Sequence, residues 1–196
     1  RQATFLRSIN TNPLTVAYGP AGTSKTYIPA WRGIDMILDP ANPLQKMILC
    51  RPAVPGGGEQ HGFLPGDLRR KLEPWAAPIL DVVEERVGSK TKMEEMVRSG
   101  MIEIIPFQFM RGRTLKNAFV MLDEAQNTTP EQMKLFVTRL GENSKTVISG
   151  DVSGGQNDLG NRTSGLAVLI GLITRSERLR VQTGLVEFDR GDIVRS

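Results

Sequence analysis

Apolar residues in this chain fall into short unbroken runs, separated by amphipathic and glycine-rich stretches. Four runs carrying β-branched residues, 14–18, 46–50, 118–122 and 145–149, have the length and apolar character of strands buried on both faces, and 101–105 is a fifth candidate. Helical segments alternate with them. Residues 25–38 follow a glycine-rich turn, and 89–98 open on Ser89 and stop before Gly100. At Thr129-Pro130-Glu131-Gln132 the threonine caps, the proline takes the first helical position and the glutamine can reach back; that helix ends before Gly141. A last apolar helix at 164–174 leads into 179–188, an expected edge strand. Strands alternating with helices predict a three-layer α/β/α architecture around a mainly parallel sheet. The stretch 52–67, with Gly56, Gly57, Gly58, Gly62 and Gly66, is long for a loop in a compact domain, and such loops are more often functional than idle.

Composition narrows the class. With 196 residues, 39% of them hydrophobic, the chain is expected to form one compact domain over 1–196. No run approaches the ~18 apolar residues of a membrane span. Nothing resembles a secretory signal, so a cytoplasmic location is expected; the chain opens abruptly at Arg1, which leaves room for a natural N-terminus upstream. The one cysteine, Cys50, closes an apolar run and reads as a reduced core residue. With His61 the one histidine, a His/Cys zinc site is excluded. A net charge of +4 is compatible with a polyanionic partner without demanding one.

Chemistry concentrates at two strand ends. After the first strand, Gly19-Pro20-Ala21-Gly22-Thr23-Ser24-Lys25-Thr26 runs into a helix, the arrangement of a phosphate-binding P-loop. Its backbone N–H groups would cradle ATP phosphates, Lys25 would reach the β- and γ-phosphates, and the Thr26 hydroxyl would ligate Mg²⁺. Ser24 stands where glycine usually precedes the lysine; at positive φ a serine costs roughly 1–2 kcal/mol, at negative φ little. The second end is Phe119-Val120-Met121-Leu122 followed by Asp123-Glu124-Ala125-Gln126. Acids at the carboxyl end of a parallel strand lie where open α/β sheets bind ligands. Asp123 is placed to hold Mg²⁺ through water, and Glu124 to orient and deprotonate an attacking water. A third strand ends in Ser149-Gly150-Asp151, with Gln156 soon after; these could sense a γ-phosphate or form a plain exit from the strand.

The stretches GPAGTSKT, CRPAV, GFLPGDL, FMRGRTL, DEAQNTT, TRLG, SGD and SGL, in this order, resemble the PhoH family of P-loop ATPases, relatives of the superfamily-one helicase core. The likeness runs from about Gln2 to Arg195. It implies a RecA/helicase-like fold, ATP and Mg²⁺ as cofactors, Gln2 as a reader of adenine, and work on RNA or single-stranded DNA. Short chains of this kind resemble versions common in bacteriophages, which would place the protein in a host cytoplasm. Helicases of this lineage close ATP between two such domains, the second lending an arginine. A single domain implies a neighbouring copy as donor, hence a ring-like homo-oligomer, a hexamer by resemblance. Arg111, Arg113, Arg139, Arg162 and Arg195 are the candidates.

Local chemistry bears on the nucleic acid as well. Arg111-Gly112-Arg113 follows Phe107 and Phe109, and Arg51, Arg69 and Arg70 flank the long glycine-rich stretch; basic groups beside aromatic ones can track a backbone and stack bases. The plain alternative is a solvated basic face with both phenylalanines in the core. Two other functions compete with a nucleic-acid motor. One is a slow ATP-gated switch around a protein partner. The other is a small-molecule kinase, disfavoured because a glutamate stands directly beside the metal aspartate.

Overall fold

The computed structural model describes residues 1–52, 68–152, 159 and 163–194. Every expected strand forms: β1 Leu14–Tyr18, β2 Lys46–Arg51, β3 Ile102–Pro106, β4 Ala118–Leu122 and β5 Lys145–Gly150, joined by β6 Thr183–Glu187. They make one sheet in the order β3-β2-β4-β5-β1-β6 with all pairings parallel. Because side chains alternate along each strand, the sheet feeds two cores. Ala17, Met47, Leu49, Phe119, Met121 and Val147 face one layer, together with Phe5 and Ile9 of α1 (Gln2–Thr11), Ala30 and Ile34 of α2 (Tyr27–Leu38), Val83 of α3 (Leu68–Val87) and Met93 of α4 (Lys90–Arg98). Val16, Ile48, Cys50, Val120, Leu122 and Ile148 face the other, with Met133 and Phe136 of α5 (Pro130–Val137) and Leu166 and Ile173 of α6 (Gly165–Arg175). This is the three-layer α/β P-loop NTPase fold.

Local chemistry sets the helix ends. Ser89 accepts from Lys92 N at 3.3 Å. Thr129 and Gln132 cap each other reciprocally, Gln132 N donating to Thr129 Oγ1 at 3.3 Å and Thr129 N to Gln132 Oε1 at 2.9 Å. Such a cap contributes about 1 kcal/mol. On the opposite face α2 approaches the sheet closely, since a Cβ on Gly33 would lie 2.6 Å from the Phe119 ring. That packing fixes the amino end of α2 above the carboxyl ends of the central strands.

Two expectations change. The segment 179–188 is not all strand: Glu177–Gln182 forms α7, and only Thr183–Glu187 pairs with β1, at the sheet edge as expected. Ser176 Oγ accepts from Leu179 N at 3.4 Å and starts a helical turn whose residues are all exposed, so nothing draws them into the sheet. The helix expected at 25–38 begins at Tyr27, with Thr26 as its N-cap. Most of the glycine-rich stretch expected to be functional, 53–67, lies outside the described residues.

Candidate active site

The site is assembled from three neighbouring strand ends. β1 delivers the glycine-rich loop and β4 delivers Asp123 and Glu124; β5, lying between them, contributes Ser149 and Asp151. Gly19 turns the chain out of β1 at φ +140°, and a Cβ there would meet the Phe188 carbonyl oxygen at 2.2 Å, so this position accepts no side chain. Ser24 sits at φ +67°, the strained alternative of the two open from the sequence. The Lys25 ammonium donates to Pro20 O at 2.5 Å and to Thr23 Oγ1 at 3.1 Å, folded back over its own loop. Gly22 O accepts from Val194 N at 3.0 Å, tying the loop to the segment after β6.

Thr26 Oγ1 donates to Asp123, 3.1 Å from Oδ2 and 3.3 Å from Oδ1, and Ser149 Oγ donates to Oδ1 at 2.9 Å. The P-loop hydroxyl and the β4 carboxylate, 97 residues apart in sequence, are thus in contact. Burial pushes the Asp123 carboxyl above its ordinary pKa and the Glu124 charge adds to this; the hydrogen bonds from Ser149, the Glu124 backbone and Thr26 only partly offset it. Burial holds the Lys25 ammonium below its usual value, against the pull of Asp151, Asp123 and Glu124. The site brings Asp123, Glu124 and Asp151 together beside Lys25. Its oxygen donors, a hydroxyl and a carboxylate side by side, are those Mg²⁺ prefers. The residues present therefore fit a P-loop magnesium ion.

Glu124 takes φ +52°, in the left-handed region where a non-glycine residue is strained, as the chain leaves β4 for the 3-10 turn Ala125–Asn127. One carboxylate oxygen accepts from Gln126 Nε2 at 2.5 Å; the other lies 4.0 Å from Arg51 Nη2 at the end of β2. Lys25, Thr26, Tyr27, Asp123, Glu124, Gln126 and Asp151 line one cleft of ≈ 300 Å³.

Other sequence candidates are spread across the molecule. Gln2 Nε2 donates to Asp192 O at 2.7 Å, in the turn just before Val194. Arg51, a nucleic-acid candidate, stands beside Glu124 inside the site. Arg113 pairs with Glu103 early in β3, and Lys46 at the start of β2 joins them at 3.0 Å, so Arg113 lies toward the amino end of the sheet, away from the P-loop. Arg139 follows α5 at that same end, where its carbonyl accepts from Leu115 N at 2.7 Å; its Nε is buried with no hydrogen-bond partner among the described residues. Arg111 is exposed. Phe107 is buried and stacks on Phe136 with 6.0 Å between centroids, whereas Phe109 is 40% exposed. Arg69 and Arg70 lie in α3, but their side chains, like all of Gln156, Arg162 and Arg195, fall outside the described residues. Cys50 is buried, which pushes its thiol pKa up and leaves it inert. Among the described residues no helix is long and apolar enough to cross a membrane. Gln126 is the site residue the sequence left unassigned, the spacing after Asp123 being the available signal, and Ser149, read there as part of a γ-phosphate sensor or a plain strand exit, donates to Asp123.

Comparison with known proteins bears on this arrangement. The family described as PhoH-like protein matches residues 1–196. A PhoH-like protein of Bacillus subtilis (strain 168) is 43% identical over 196 residues, covering 99% of this chain and 58% of the relative. One from Synechocystis sp. is 44% identical over 169 residues, 86% of this chain and 50% of the relative. Protein PhoH of Escherichia coli (strain K12) is 39% identical over 199 residues, 100% of this chain and 53% of the relative. The chain thus spans about half the length of these curated relatives.

Proposed function

The chain belongs to the family of PhoH-like proteins, a P-loop ATPase-like family, and from that premise we propose that it binds ATP with Mg²⁺ and hydrolyses it. The observation that carries this reading is the contact between Thr26 and Asp123 with Lys25 and Glu124 on either side. Thr26 and Asp123 would hold Mg²⁺, which when bound neutralises phosphate charge and orients the β- and γ-phosphates. The backbone amides from Gly19 to Ser24 and the start of α2 receive the phosphates. Lys25 leaves the Pro20 carbonyl to reach them. Glu124 accepts a proton from water as its oxygen attacks the γ-phosphorus; the bond to the β–γ bridging oxygen breaks, and ADP and phosphate leave. The glutamate beside the metal aspartate favours water over a small acceptor.

The work coupled to hydrolysis is read as remodelling of RNA or single-stranded DNA by a homo-oligomer, a ring of six by resemblance, with 1–196 forming one ATPase unit in a cytoplasmic setting. Exposed Phe109 and Arg111 on one turn supply an aromatic group next to a basic one, as a single strand requires. Arg113 and Arg139, at the end of the sheet opposite the P-loop, would act on a neighbour's nucleotide; Arg111, Arg162 and Arg195 remain further donors. Gln2, bonded to Asp192 shortly before the Val194–Gly22 contact, would report adenine to the loop. Gln156 is kept as a γ-phosphate sensor. The test is steady-state ATP hydrolysis at low salt with and without single-stranded RNA and DNA, with Lys25→Ala as blank. Stimulation that fades as salt rises supports a motor that grips backbone phosphates. Measurable binding with slow, unstimulated turnover supports a second reading, an ATP-gated switch, which the strained Ser24 favours.

A further inference from the structure

Gln126 is buried in the 3-10 turn that follows Glu124, and its amide bridges two strand ends. Its Nε2 donates to Glu124 Oε2 at 2.5 Å, while its Oε1 accepts from the backbone N–H of Asp151, after β5, at 3.1 Å. The two bonds fix the amide's orientation, because Oε1 is held by a donor and only the NH₂ end can then face the carboxylate. Space for it is kept by Gly150: a Cβ there would lie 2.6 Å from Gln126 Oε1 and 3.0 Å from Gln126 N. We infer that Gln126 is the positioning residue of the hydrolytic reaction, holding the Glu124 carboxylate in the one orientation from which it can take a proton from the attacking water and locking that orientation to the end of β5. The inference rests on Glu124 acting as the base.

A glutamate that leaves a strand at φ +52° has no regular neighbour to steer its side chain. Arg51 at 4.0 Å pulls on the other oxygen from β2. Gln126 supplies the shorter and directional contact, and a part-buried charge-assisted hydrogen bond of this kind restrains a carboxylate better than a distant ion pair. Misplacing a base by about 1 Å costs on the order of 10²-fold in rate. Substrate binding, which uses the loop and the Thr26–Asp123 pair, does not depend on this bridge.

Two variants separate positioning from packing. Gln126→Glu keeps an oxygen to accept from Asp151 N–H but replaces the donor facing Glu124 with a second carboxylate; Gln126→Met fills the space and makes neither bond. Each is compared with wild type and Glu124→Gln for ATP turnover with Mg²⁺, for affinity toward a fluorescent ATP analogue, and for thermal unfolding. The expected result is a kcat lowered roughly 10- to 100-fold in both, with analogue affinity within about threefold of wild type. Wild-type kcat in the two Gln126 variants, with turnover lost in Glu124→Gln, overturns the inference and leaves Glu124 as base. Wild-type turnover in Glu124→Gln removes the base itself and the inference with it. Loss of folding or of analogue binding in both Gln126 variants makes the residue structural and also overturns it.

Discussion

Replacing Ser24 by glycine should make the nucleotide-free protein more stable. Ser24 sits at φ +67°, and among the described residues no hydrogen bond from its hydroxyl compensates for that conformation. A side chain in the left-handed region costs about 1–2 kcal/mol from the clash of Cβ with the following carbonyl. Glycine removes that cost but enlarges the entropy of the unfolded chain, returning about 0.4–1 kcal/mol. The difference, up to about 1.6 kcal/mol, raises Tm by up to about 6 °C in a chain of this size. Thermal unfolding followed by circular dichroism resolves such a shift if buffer and protein concentration are fixed. Ser24→Ala is the control, because it deletes the hydroxyl while keeping the Cβ. Alanine should give no gain. If alanine raises Tm as much as glycine, or glycine lowers it, backbone strain at position 24 is not what distinguishes this loop.

Two further changes probe the acidic end of the site. The Asp123 carboxyl has a raised pKa in the folded state, so the folded protein holds this proton more tightly than the unfolded one, and ionised Asp123 costs stability above its folded pKa. Asp123→Asn should therefore have the higher Tm at neutral pH without nucleotide, with the gap to wild type closing as pH falls through the folded pKa, while Mg²⁺-dependent ATP binding is lost; equal melting curves at pH 7 contradict this. Gly150→Ala brings a methyl to 2.6 Å from both Gln126 Oε1 and Leu166 Cδ2, an overpacking that costs about 1–3 kcal/mol, and unfolding in urea should show a midpoint lowered to match.

What the sequence disclosed depended on how local each signal is. The buried strands were legible because a sheet covered on both faces needs continuous apolar runs, and β1, β2, β4 and β5 have them. The α5 start was legible because its cap lies within four residues. α3 was hidden by Pro74 and Pro78, which break a helical pattern, and α1 by having only Phe5, Ser8 and Ile9 buried and no side-chain cap. α7 looked like the start of a strand because its apolar positions face solvent. At the site, the loop and the acidic pair carry their own spacing. The bridge from Gln126 to Asp151 does not: it depends on β5 lying between β4 and β1, which only the assembled sheet specifies. The sign of φ at Ser24 likewise belongs to the folded loop, since a serine alone adopts either.

The most direct test of the account is ATP hydrolysis by wild type and Glu124→Gln with saturating Mg²⁺, alongside binding of the fluorescent ATP analogue to both. A base worth roughly 10²–10⁴ in rate predicts that the variant binds like wild type and turns over at least about 100-fold more slowly. Turnover by Glu124→Gln at the wild-type rate would contradict the assignment of the base.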